Sequence, residues 1–137
     1  MTVIDASALA AYVLKEEGSE AVREHLKEGV TSVGLVAKET GNAILTALRR
    51  GRIDAAQAET SFKALCALLD HNITLIDQGG LLEDAFHTAL EREGTVYDTI
   101  YVALAKGRGE ALLSGDAKQM GIAKALGVRT ARSTATG

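Results

Sequence analysis

No apolar run in the chain approaches the roughly 18 residues of a membrane helix, which argues against an integral membrane protein and predicts no membrane partner. Cysteine is nearly absent: Cys66 stands alone, so no internal disulfide can form. That usage suits a reducing cytosol and a cytoplasmic location. Met1 leads straight into a strand-like segment, which leaves no room for a cleavable signal peptide. Histidines are few, and His25, His71 and His87 lie on polar helical segments without metal-ligand spacing. They are expected on the surface, and a zinc site of Cys and His has no support. There is no Gly-x-x-x-x-Gly-Lys phosphate loop and no Gly-x-Ser-x-Gly nucleophile elbow. Repeats, low-complexity blocks and linkers are also missing, so the 137 residues predict one domain over 1–132. Residues 133–137 are expected to fray.

Positive charge is not in excess either. The net charge of −3 argues against holding nucleic acid by bulk electrostatics. It leaves open an enzyme that acts on nucleic acid, because the basic residues are uneven. Arg49, Arg50 and Arg52 surround Gly51, and Arg129 and Arg132 lie near the C-terminus. The first cluster fits favourable charge at a helix C-terminus or a patch that contacts phosphates. Cys66, inside Ala64–Leu69, is expected to be a small buried apolar residue.

What the chain does contain is alternation of strand-like and helix-like segments, which predicts an α/β fold with a central parallel sheet flanked by helices on both faces. Strands are expected at Met1–Ile4, Val30–Val33, Asn72–Ile76, Ala111–Ser114 and Val128–Thr130. Helices are expected at Ala6–Leu14, Gly18–Glu28, Leu35–Arg50, Ala55–His71, Leu81–Glu93, Tyr97–Lys106 and Ala117–Leu126. In such sheets ligands bind beyond the carboxyl ends of the strands. Asp5 and Asp116 fall at two of those ends, and Asp98 at a helix start that should face the same edge.

Each acid has a simple alternative role. Asp5 and Asp116 suit N-caps, and Thr95-x-x-Asp98 has capping-box spacing. Glu39 shares a helix face with Asn42, Thr46, Arg49 and Arg50, opposite Ala37, Ile44, Leu48 and Gly41. That face reads as the solvent side of an amphipathic helix or as the wall of an open cleft. Taken together, the acids suggest more. Tyr97–Lys106 is apolar on nearly every side, so Asp98 at its front should lose hydration, which is costly for a charge without a partner. A divalent cation shared by the acids would relieve that cost.

These stretches resemble the PIN-domain ribonucleases, most closely the VapC-type toxins of toxin–antitoxin pairs. The matching segments are Val3–Leu9, Glu39–Ile44, Tyr97–Ala105 and Leu112–Asp116, in order along essentially the whole domain. The resemblance implies that Asp5, Glu39, Asp98 and Asp116 are catalytic and bind Mg²⁺ or Mn²⁺. Asp5, Asp98 and Asp116 would ligate directly, and Glu39 would bind metal or position water. Ser7 and Ser114 match small hydroxyl residues that support the acidic site, and Asn42 matches an Asn that orients the Glu or touches substrate. Thr99-Ile100 and Gly41 depart from the commoner pattern without removing a carboxylate.

Carboxylate oxygens suit Mg²⁺, which takes octahedral oxygen ligands at about 2.0–2.1 Å. Such an ion lowers the pKa of a coordinated water, here for in-line attack on an RNA phosphodiester. The family further implies 5′-phosphate and 3′-hydroxyl products, a homodimer, and an antitoxin whose C-terminal segment blocks the cleft. Two other readings compete. A haloacid-dehalogenase-like phosphohydrolase has a similar first Asp and late Gly-Asp, but needs a second Asp where Ser7 stands. A PIN-like module that binds RNA or protein without cutting is the other.

Overall fold

A computed structural model describes residues 1–132; the expected frayed tail at 133–137 lies outside the described residues. Five strands form one sheet: β1 (Thr2–Ile4), β2 (Val30–Val33), β3 (Ile73–Ile76), β4 (Ala111–Ser114) and β5 (Thr130–Arg132). All neighbouring pairs are parallel, in the order β3-β2-β1-β4-β5. The inner strands are buried because both of their faces are covered. Val3, Ile4, Val30, Val33, Leu112 and Leu113 are fully buried, whereas edge strands β3 and β5 carry exposed residues.

The helices are α1 (Ala6–Val13), α2 (Ser19–Glu28), α3 (Leu35–Arg49), α4 (Ala55–His71), α5 (Leu82–Arg92), α6 (Val96–Arg108) and α7 (Ala117–Ala125), with a 3₁₀ turn at Gly79–Leu81 before α5. Helices α1 to α4 pack with one another, and α5 to α7 do likewise. The strand order explains the two layers. The chain steps from β1 to β2 to β3 in one direction, then returns across β1 to β4 and β5. Right-handed crossovers therefore place the two sets of helices on opposite faces. The reversal makes the boundary between β1 and β4 a topological switch point, the place where open α/β sheets bind ligands.

Two expectations need correction. The last strand is Thr130–Arg132, not Val128–Thr130. Val128 N–H instead donates to Ala123 O and Gly127 N–H to Lys124 O, with Gly127 at φ +77°. This is a Schellman stop, so Val128 ends α7 rather than starting β5. Cys66 is exposed, not buried. The buried residues of α4 are Ser61 and Leu65, and one helical step of about 100° turns Cys66 away from that stripe. His71 and His87 are exposed as expected, and His25 is partly buried.

Helix α4 begins with a reciprocal cap. Asp54 Oδ1 accepts from Gln57 N–H at 2.8 Å, and Gln57 Oε1 accepts from Asp54 N–H at 2.8 Å. Asp54→Ala is expected to lower stability by about 1 kcal/mol, read from the midpoint of urea unfolding.

Candidate active site

Asp5 follows β1 directly, and its N–H continues the sheet ladder to Leu113 O at 3.2 Å. Its side chain is at the centre of the switch point, with the residue only 1% exposed. Oδ1 accepts from Ala8 N–H at 2.9 Å, which caps α1, and from the Ser7 hydroxyl at 2.7 Å. Oδ2 accepts from the Ser114 hydroxyl at 2.5 Å. Ser114 also accepts from Asp116 N–H at 2.9 Å, and Ser7 accepts from Gly115 N–H at 2.9 Å. Two hydroxyls thus lock the end of β1, the start of α1 and the end of β4 into one network. The N-cap role of Asp5 is real, but it occupies only one of the two oxygens.

Every donor to Asp5 is neutral, and no ion pair to it is found among the described residues. Burial pushes its pKa up; hydrogen bonds from Ser114, Ala8 and Ser7 oppose that, and the charge of Asp116 adds to it. Glu39, partly buried on α3, is also raised: burial is the largest cause, and the charges of Asp98 and Asp5 add to it against the hydrogen bond from Tyr101. Asp5 thus feels the charge of Asp116, and Glu39 feels those of Asp98 and Asp5.

The structure differs over which acid is deepest. Asp98 is only partly buried, because the continuous buried run of α6 begins one residue later, at Thr99. Asp5 is the carboxylate that loses its hydration. Thr95 Oγ1 accepts from Asp98 N–H at 3.2 Å, but the reciprocal half of a capping box is not formed. Both Asp98 oxygens are left without a protein donor among the described hydrogen bonds. Asp116 spends Oδ1 on the N–H groups of Lys118 and Gln119 as the cap of α7, which leaves Oδ2. Glu39 accepts only at Oε1, from the Tyr101 hydroxyl at 2.6 Å.

The donor set is thus all carboxylate, with free oxygens on Glu39, Asp98 and Asp116 and spare lone pairs on Asp5. Its chemistry fits a hard divalent cation. Among the described residues, however, no three acidic groups stand close enough to hold one ion as their side chains are turned.

On α3 the buried stripe is Val36, Thr40, Ile44 and Ala47. Ala37, Gly41 and Leu48 lie half-buried on its flank rather than at its centre. Asn42 is exposed and makes no hydrogen bond to Glu39 among those described. Arg49 lies ten residues beyond Glu39, about 15 Å along the helix. Arg49 and Arg50 are exposed, and Arg52 pairs with Glu16 at 2.9 Å. Arg132 ends β5 in register with Ser114, which brings it to the acidic edge. Thr99, the departure noted in α6, donates to Ala85 O at 2.7 Å and so ties α6 to α5.

Sequence reasoning missed Tyr101. Apolar patterning places it simply in the core of its helix, although a buried tyrosine hydroxyl usually has a polar partner. Burial, the Glu39 contact and the charges of Asp5 and Asp98 all raise its pKa, so the phenol stays protonated and acts as a donor.

Residues 2–125 match the model of the PIN domain. The chain is 34% identical over 116 residues to a ribonuclease named VapC3 from Pyrobaculum aerophilum, covering 83% of this chain and 88% of that one. It is 32% identical over 123 residues to a ribonuclease named VapC1 from Mycobacterium tuberculosis, covering 85% and 86%. The crystal structure of PAE2754 from Pyrobaculum aerophilum superposes with a TM-score of 0.72 at 25% identity, covering 94% of this chain and 87% of that one.

Proposed function

The chain belongs to the PIN-domain family, and from that premise we propose that it is a Mg²⁺- or Mn²⁺-dependent endoribonuclease, the toxin of a VapBC-type toxin–antitoxin pair. One observation carries the reading. A carboxylate only 1% exposed sits at the switch point of the sheet, with no ion pair among the described residues and with the charge of Asp116 acting on it. A fold that only needed a helix cap there would gain as much from a neutral Ser or Asn.

The residues divide the work. Asp5 is held rigidly by Ser7 and Ser114 and forms the floor of the site. Glu39, Asp98 and Asp116, each partly buried, would supply the remaining oxygens. A divalent ion at these oxygens supplies an activated water and offsets charge on the scissile phosphate. Arg132 stands at the same edge, where it is suited to hold the RNA backbone. Asn42 is free to touch substrate. Arg49, Arg50 and Arg52 extend the basic surface farther along, with Arg52 already engaged by Glu16.

The expected partners are RNA, a cognate antitoxin and a second copy of the chain. An acidic edge attracts a guanidinium from a blocking segment. A stripe on α5, Leu82, Phe86 and Leu90, is exposed together with Tyr97 and offers an apolar face to a protein partner. Among the described residues no helix is long and apolar enough to cross a membrane; a cytoplasmic location is part of the proposal. Ser7 argues against phosphohydrolase chemistry, because its hydroxyl donates to Asp5 where that reaction needs a second acid.

The test is to titrate Mn²⁺ into the purified protein and follow cleavage of RNA with and without chelator. Cleavage that needs the ion and leaves 5′-phosphate ends is expected. RNA binding with no cleavage at any Mn²⁺ concentration would replace the nuclease by a non-catalytic module.

A further inference from the structure

Tyr101 is 1% exposed, so its ring is part of the core, yet its hydroxyl reaches Glu39 Oε1 at 2.6 Å. Glu39 belongs to α3 and Tyr101 to α6. Among the described hydrogen bonds this is the one that joins a helix of the α1–α4 layer to a helix of the α5–α7 layer. Tyr101 also lies one turn after Asp98 on α6, so the helix that carries one acid steadies another.

A glutamate on a helix surface has three rotatable side-chain bonds and loses that freedom when it binds an ion. A donor that fixes one oxygen beforehand removes part of this cost. Neutral donors that orient a ligating carboxylate serve metal sites in the same way. We propose that Tyr101 is the positioning residue for Glu39: it holds Oε1 and leaves Oε2 as the one oxygen that Glu39 offers to a divalent cation. This rests on the reading of the acidic edge as a metal-dependent nuclease site. A purely structural tyrosine would show the same contact, with the phenol simply satisfied by the nearest acceptor, so the test must separate the two.

Tyr101→Phe keeps the ring and removes only the hydroxyl. Calorimetric titration of Mn²⁺ is expected to show affinity weakened by about 10–100-fold, the range for loss of an outer-shell partner. At a fixed Mn²⁺ concentration kcat falls while KM for RNA holds. Glu39→Ala removes the same hydrogen bond from the other side. Because the two residues act as a unit, adding Tyr101→Phe to Glu39→Ala is expected to change Mn²⁺ affinity no further. Parental Mn²⁺ affinity in Tyr101→Phe, with only the melting temperature lowered, overturns the positioning role. An equal further loss in the double variant overturns it too. In both cases a parent protein that still binds Mn²⁺ and cuts RNA keeps its nuclease assignment. A parent that does neither overturns both.

Discussion

Asp5→Asn is expected to abolish metal-dependent RNA cleavage in a protein that still folds. The substitution keeps the size and shape of the side chain and removes one charge and one acceptor oxygen. The position is 1% exposed, so water cannot replace what is lost. The fold should survive because the neighbours adapt. Ser7 and Ser114 are hydroxyls, each able to donate or accept by rotation, and the cap to Ala8 N–H needs only the amide oxygen. The neutral amide also escapes the burial that raises the Asp5 pKa. The loss in kcat should therefore exceed the roughly 10–100-fold that follows removal of an outer-shell partner, while the melting temperature stays within a few degrees of the parent. Undiminished cleavage by folded Asp5→Asn protein would remove Asp5, and with it the proposed mechanism.

The same acids predict how stability depends on pH and metal. Asp5 and Glu39 have pKa values raised in the folded protein above their ordinary values of 3.8 and 4.5, in both cases mainly by burial. The folded state therefore binds protons more tightly than the unfolded state. The stability from this is fully present below the ordinary carboxylate range and is lost as pH rises through the raised values. Glu110 acts in the opposite sense: burial pushes it up, but hydrogen bonds from Arg108 and Thr31 and the Arg108 charge more than reverse this. Its contribution is present above 4.5 and lost only as pH falls below that. Chelator-treated protein should thus grow more stable as pH falls through the raised values towards the ordinary carboxylate range, and Asp5→Asn should flatten that slope.

Mn²⁺ supplies from outside the charge that the acids lack. At about 100 times its Kd it should stabilise the neutral-pH protein by about 2.7 kcal/mol. The increment should shrink as pH falls, because protons compete for the same oxygens. Thermal melts across pH, with Mn²⁺ or chelator, measure both effects. The prediction fails if Mn²⁺ leaves the neutral-pH melt unmoved.

Much of this was legible along the chain. The bounds of β2, α4 and β4 match those expected from patterning. Two caps were legible from their neighbours: Asp5 and Asp116 each precede a helix, and a carboxylate there accepts from free N–H groups. Cys66 and Val128 were misplaced because local hydrophobicity does not say which way a residue faces, or whether a glycine turn has already ended the helix.

From its sequence alone this protein is an α/β chain with three acids at segment ends and a fourth on a helix face, since each such assignment depends on neighbours within a few residues. The order of the strands, the burial of Asp5 rather than Asp98, and the bond from Tyr101 to Glu39 were decided only by the folded structure. Each depends on residues far apart in the chain meeting across the sheet, and no local periodicity encodes which of them will meet.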